Sequence, residues 1–259
     1  MAEIEDGYEQ QQRRMRVPML TTSSDQAVAT AKQIQALDSP RSRLTIVAKA
    51  LAGEALGTFL LVFTIAALTA VNEGTPGGIG LLSFAMAASF CVTVIILTIG
   101  HTSGAHINPS ITVGFAAAGR FPWSQVPFYM VSQITGSVLA ILAAKWVYSF
   151  PESDFAVTQP RSGPWQSLVL ETAMSFVVMF LSGNAAAMAV PAAIGLSVMV
   201  AGPISGGSLN PARSLGPAIV SRNFKAIWIY IAGPFLGCVT AGIAHSPVLE
   251  GKEDSQNSM

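Results

Sequence analysis

The chain has 259 residues, of which 51% are hydrophobic and 11% charged, with a formal net charge of zero and a mean hydropathy of +0.52. A soluble domain carries roughly 25% charged residues, so this composition excludes an ordinary soluble domain, and the balanced charge leaves no footprint for nucleic acid. Cys91 and Cys238 both fall inside apolar runs, where a cysteine is by default a small buried hydrophobe, and no redox role is assigned to them.

Residues 1–45 are polar, mixed in charge and rich in Gln, Ser and Thr, the composition of a disordered tail. Glu3, Glu5, Asp6 and Glu9 make the start acidic. With no basic stretch leading into an apolar core, no cleavable signal peptide is expected. Apolar runs come next at 55–71, 79–99, 124–148, 166–182, 185–201 and 226–244, most of them near the ~20 residues a spanning helix needs. Six spans put both termini on one side. Lys32, Arg41, Arg43, Lys49, Arg120 and Lys252 would lie on that side, against Lys145, Arg161, Arg222 and Lys225 opposite. The positive-inside rule then makes both termini cytoplasmic.

The first run opens with Glu54 and the fourth with Glu171. A carboxylate inside an apolar run is expensive, so it faces the bundle interior and finds donors. Two roles fit the pair: a proton relay, as in a coupled transporter, or structural acceptors for irregular backbone. Symmetry favours the second, because each Glu stands ahead of an Asn-Pro box whose unwound N–H groups need acceptors.

The second run leads through His101 and His106 into the first box, Ser103-Gly104-Ala105-His106-Ile107-Asn108-Pro109-Ser110. Neither His has a partner at metal-ligand spacing, so bundle packing or a polar pore contact is expected and no metal site. Arg120-Phe121-Pro122-Trp123 reads as a basic and aromatic interface anchor. Residues 149–164, with three Pro and mixed charge, read as an exposed loop. The second box, Ser205-Gly206-Gly207-Ser208-Leu209-Asn210-Pro211-Ala212-Arg213, lies 102 residues after the first. In both, Asn sits where a helix N-cap belongs and Pro at the first helical position. At an offset of 101, Tyr129, Gln133 and Gly136 fall opposite Tyr230, Pro234 and Gly237, so the repeat covers whole halves. Three spans and a box, taken twice, give halves of opposite orientation: an inverted repeat with its functional centre at the midplane.

Unpaired backbone is tolerated in a membrane only where protein or water covers it. The two boxes are therefore expected to dip in from opposite faces and meet with their helix N-termini together, each carrying roughly half a positive charge. Asn108 and Asn210 would line the meeting point. The product is a narrow polar track that passes neutral hydrogen-bonding solutes and repels protons and cations. Arg213 lies three residues beyond Asn210 and points into the same track. A charge at that depth is a functional candidate.

The doubled box, the Glu at the head of each half, the six spans and Arg213 resemble the major intrinsic proteins, the aquaporin and aquaglyceroporin channels, over roughly residues 46–246. More narrowly, Gly100-His101-Thr102-Ser103-Gly104-Ala105-His106, Phe121-Pro122-Trp123-Ser124-Gln125-Val126-Pro127 and Gly202-Pro203-Ile204-Ser205-Gly206-Gly207-Ser208 look like the plant nodulin-26-like intrinsic proteins. A first box ending in Ser110 rather than Ala is similar to members linked to boric acid. The resemblance implies an all-α membrane protein of six transmembrane helices and two re-entrant half-helices. It also implies a four-position filter falling on Ala88, Val198, Gly207 and Arg213, a homotetramer, a plasma-membrane location and no cofactor. Three small or medium apolar residues beside one Arg make a wide constriction suited to glycerol, urea or undissociated boric acid. Phe84, four residues before Ala88, shares its helix face and either caps the outer mouth or packs on a neighbouring helix.

The expected domains are a tail at 1–45, a channel at 46–246 with repeats at 46–148 and 165–246, and a cytoplasmic tail at 247–259. The second repeat is shorter: 54 residues separate Glu54 from Asn108, and 39 separate Glu171 from Asn210. Two spans must share 166–201, with Ser182-Gly183-Asn184 as the turn signal and Pro191 interrupting the apolar run after it. Either both helices are short or the fifth is incomplete. The alternatives to a passive channel are thus a poorly conducting membrane subunit or an ion-coupled transporter working through Glu54 and Glu171. An enzyme is not expected: no nucleophile has a base, and no metal cluster or phosphate loop is present.

Overall fold

The computed structural model describes residues 40–149, 155–182 and 188–249. Within them run eight α-helices: α1 (Pro40–Gly74), α2 (Gly80–Ser103), α3 (Pro109–Ala117), α4 (Val126–Tyr148), α5 (Pro164–Ser182), α6 (Ala189–Ser205), α7 (Pro211–Ser221) and α8 (Ile227–Leu249). A single 3-10 turn, Trp123–Gln125, leads into α4. No strand occurs among the described residues.

Five of these helices are long and apolar enough to cross a membrane, and α6 is a sixth apolar helix of only 17 residues. The shortening expected in the second half therefore falls on α5, with 19 residues, and on α6. Residues 183 and 184 of the anticipated turn lie outside the described residues. Pro191 does not interrupt a helix. It sits in the first turn of α6, where the N–H that proline lacks would have no intrahelical partner anyway. Helix α1 already runs at Pro40, inside the stretch read as tail; the rest of that tail, and residues 250–259 of the C-terminal one, lie outside the described residues.

Polarity is turned inward. Glu54, Gln133, Glu171, Asn108 and Asn210 are buried, while Phe90, Leu97, Val131, Leu139 and Trp146 are exposed, as a hydrocarbon surround demands. Trp165 and Trp228 meet edge to face at 5.8 Å where α5 and α8 begin, and both are exposed, the placement of an interfacial aromatic belt. The aromatic anchor expected at 121–123 divides instead. Trp123 is exposed, but Phe121 is buried, edge to face with His106 at 4.9 Å and with Tyr129 at 4.7 Å.

The halves are built alike and interlocked. Within each half, α1 packs on α4 and α5 on α8. Both pairs cross at a glycine: a Cβ on Gly136 would strike the Ala55 carbonyl oxygen, and one on Gly237 that of Thr172. Such crossings need small residues for backbones to approach. The half-helices are exchanged, α3 lying on α8 and α7 on α4, where Ser137 Oγ donates to Ala212 O at 2.6 Å. At the centre α2 crosses α6, with Ser89 Oγ donating to Pro191 O at 2.8 Å.

Candidate functional site

Each half-helix starts on an extended asparagine whose side chain caps it. Asn108 (φ −157°) accepts from Ser110 N, and Asn210 (φ −147°) from Ala212 N and Arg213 N. Pro109 and Pro211 come next, at the first helical position, where their fixed φ suits the helix. The approach to each cap is contorted: Ala105, Ile107 and Leu209 hold positive φ, a region costly for residues with a Cβ.

Two carboxylates hold that backbone. Glu54 Oε1 accepts from His106 N at 2.9 Å and its Oε2 from Ile107 N at 2.7 Å. Glu171 Oε1 accepts from Ser208 N at 2.9 Å and its Oε2 from Leu209 N at 2.6 Å. A further side chain completes each: Gln133 Nε2 donates to Glu54 Oε2 at 2.7 Å, and Ser205 Oγ to Glu171 Oε1 at 2.6 Å. Tyr129 and Tyr230 each tie the loop of their own half, donating to Ser103 O at 2.9 Å and Ser205 O at 2.6 Å.

The boxes meet directly. Asn108 Nδ2 donates to Leu209 O at 2.9 Å, and Asn210 Nδ2 donates to Ile107 O at 2.8 Å. An amide carries two donors, so one hydrogen on each asparagine remains for the space between the boxes. Two helix N-termini face that space, and their partial positive charges add. Ser110 makes the first box different. Its Oγ donates to Asn108 Oδ1 at 2.8 Å and accepts from Cys238 Sγ at 3.4 Å.

A cavity of about 80 Å³ runs past both asparagines, and a vestibule of about 840 Å³ opens on the side of residues 155–163. Ile65, Ala88, Val198, Gly207 and Arg213 line both, so the two spaces join at these five residues. The four positions expected of a filter are thus together, and Phe84 lines the vestibule. Arg213 donates from its guanidinium to Thr158 Oγ1, which also accepts from Ser214 Oγ at 3.0 Å. Thr158 and Phe155 are buried, so of the segment read as an exposed loop, the described stretch 156–161 lines the vestibule instead. Arg161 N and Ser162 N donate to Ile204 O.

His101 is exposed, while His106 is buried among Phe115, Phe121 and Tyr129 with Nδ1 against Thr112 Oγ1 at 3.2 Å. Among the described residues no group of three or more His, Cys, Asp or Glu could hold a metal ion. Thr158 and Ile65 escaped the sequence reading, as did the role of Gln133 as a donor to Glu54. Gln133 alone left a signal, as a polar residue aligned within the repeat.

Known proteins share this construction. Residues 41–245 match the family described as Major intrinsic protein. Similar relatives include probable aquaporin NIP7-1 of Arabidopsis thaliana, 38% identical over 75% of this chain and 74% of that protein. Probable aquaporin NIP4-2 of the same plant is 42% identical, over 76% and 73%, and aquaporin NIP1-3 of Oryza sativa subsp. japonica is 39% identical, over 74% and 71%. The X-ray structure of the aquaglyceroporin from Plasmodium falciparum superposes with a TM-score of 0.70 at 20% identity, covering 78% of this chain and 97% of that one, a likeness of fold. These relatives are channels, not enzymes, and the family match at 41–245 takes in both boxes and both carboxylates: the chain is a multi-pass membrane protein and belongs to the major intrinsic protein family, beside the nodulin-26-like aquaporins.

Proposed function

We propose that the chain is a passive channel for small uncharged solutes, boric acid, glycerol and urea among them, with water able to pass as well. The observation that carries this reading is the junction of the two cavities. There Ala88, Val198 and Gly207 contribute little bulk beside a single guanidinium. A wide, partly apolar opening admits a polyhydroxy solute, and Arg213 supplies donors to its oxygens. The same charge, added to two converging helix N-termini, turns cations and protons away. Glu54 and Glu171 are structural in this scheme. Both oxygens of each already accept backbone N–H groups, which leaves a proton relay without support. A homotetramer in the plasma membrane with cytoplasmic termini completes the proposal.

The test is stopped-flow flux in liposomes for boric acid, glycerol, urea and water, with a pH-gradient arm. Faster flux of the neutral solutes than in empty vesicles, indifferent to the gradient and closed to glycerol by Ala88→Trp, is expected; gradient-driven uptake would overturn it. The second reading, a poorly conducting subunit, draws on α6. Its 17 residues rise about 26 Å against a hydrocarbon core of about 30 Å. No flux above empty vesicles in the same assay would favour it.

A further inference from the structure

We infer that Ser175 of α5 is a solute subsite beyond the boxes, on the side away from the vestibule, where its hydroxyl takes over a hydrogen bond of a polyhydroxy solute or boric acid leaving Asn108 and Asn210; this rests on the channel reading above. Helix α5 begins at Pro164, three residues after Arg161 of the vestibule wall. Glu171 braces the second box, and Ser175 follows one turn later, about 6 Å further along the helix. Ser175, Val178 and Ser182 all line the inner cavity. Steps of three and four keep them on one face of α5.

The wall of that cavity has few hydrogen bonds to give. Much of it is apolar, with Leu61, Ile96, Phe115, Val190 and Ile194 among its side chains. Three serines line it as well, and two of them are engaged. Ser182 Oγ donates to Val178 O at 2.8 Å, while Ser208 Oγ donates to Asn210 O at 3.1 Å and meets Ser214 Oγ at 2.6 Å. Ser175 Oγ is buried and has no partner among the described residues, and the same holds for His106 Nε2 on this wall. Burying a hydroxyl without a partner costs stability; on the wall of a conduit, the partner is what passes.

The hydroxyl is also held in place. A Cβ on Gly237 would meet Ser175 Cβ at 3.0 Å, so α8 packs closely behind it, and Cys238 Sγ donates to Ser175 O at 3.7 Å. A serine hydroxyl both donates and accepts, which suits a solute whose hydroxyls do the same. Water gains less from it. Waters in file bond to one another, whereas the carbon skeleton of a polyol interrupts the file and leaves its oxygens dependent on the wall. Ser175 thus favours hydroxylated solutes over water along a stretch that is otherwise mostly apolar.

The experiment reconstitutes the full chain in liposomes and compares water, glycerol and boric acid in wild type and Ser175→Ala, with melting in detergent read in parallel. The control is Thr98→Ala, at an exposed residue of α2 whose hydroxyl donates to Val94 O. Ratios of rates are read, because a loss of folded protein leaves them unmoved. In Ser175→Ala the glycerol-to-water and boric-acid-to-water ratios should each fall about fivefold, the worth of one net hydrogen bond. Its melting temperature should hold or rise, since no bond within the protein is lost. Thr98→Ala should keep the wild-type ratios. A wild type that conducts and a Ser175→Ala that keeps its ratios overturn this inference alone. So does a lowered melting temperature or a failure to fold in Ser175→Ala, either of which would make the hydroxyl structural. A wild type without flux overturns the channel reading, and this inference with it.

Discussion

The two halves of this molecule use one backbone device and fill it with different side chains. In the first half the residues around the box are enclosed: His106 packs among Phe115, Phe121 and Tyr129, and Thr112 is shared between His106 and Gln133. In the second half the equivalent positions, 102 residues on, are Ser208 and Ser214, whose hydroxyls meet at 2.6 Å. From them a chain of hydroxyls runs to Thr158 and Arg213. The skeleton of Glu, capped Asn and Pro is thus indifferent to its filling. What differs is that one half is sealed by aromatic rings and the other carries hydroxyls and a charge to the vestibule. On the channel reading proposed above, the second half brings the charge and the hydroxyls to the junction, and the first adds Ala88 to its wall.

The strongest challenge to this comparison removes the shared device. Glu54→Ala and Glu171→Ala each strand two backbone N–H groups and one side-chain donor, at about 1–3 kcal/mol per buried donor. Both variants should lose the folded protein on thermal melting in detergent, to similar degrees; a melt shifted in one alone would break the equivalence of the halves. Next comes the charge that only the second half bears. Arg213→Ala removes a repulsion of about 2 kcal/mol for a monovalent cation some 7 Å away at an effective dielectric near 20, so cation leak in liposomes should rise roughly thirtyfold with little change in melting. A smaller effect is expected from Thr158→Ala, which takes away one hydrogen bond to Arg213, worth about 1 kcal/mol. Neutral-solute ratios should shift a few-fold while melting stays put. Smallest is Ser110→Ala, which makes the first box match the second. It removes the Oγ contacts to Asn108 and Cys238 at a cost of about 1 kcal/mol or less, and flux should stay within about twofold.

The parts legible from residues alone were those the repeat prints twice. Glu54 and Glu171, the capping asparagines and the paired glycines at 136 and 237 stand out because chance does not duplicate them in register. Thr158 could not be found this way. It has no counterpart in the first half, and a threonine between Val157 and Gln159 in a segment rich in proline carries no period. Ile65 was hidden for the opposite reason: in an apolar helix, periodicity does not distinguish a face toward a conduit from one toward lipid. Phe121 was misplaced because two aromatics around Pro122 look alike on paper, yet the turn before α4 sends one inward and one out. Pro191 was misjudged because proline breaks a helix in its middle and fits in its first turn.

The crossed bonds between the boxes bear on how the chain is made. Asn108 and its acceptor Leu209 O are 101 residues apart, which at ribosomal elongation speeds is on the order of 5–20 s of synthesis. Through that interval the first re-entrant segment has Glu54 to brace it but nothing opposite to close against. The nascent first half must therefore wait, half-shut and shielded by its own three spans, until the ribosome delivers the segment that completes it.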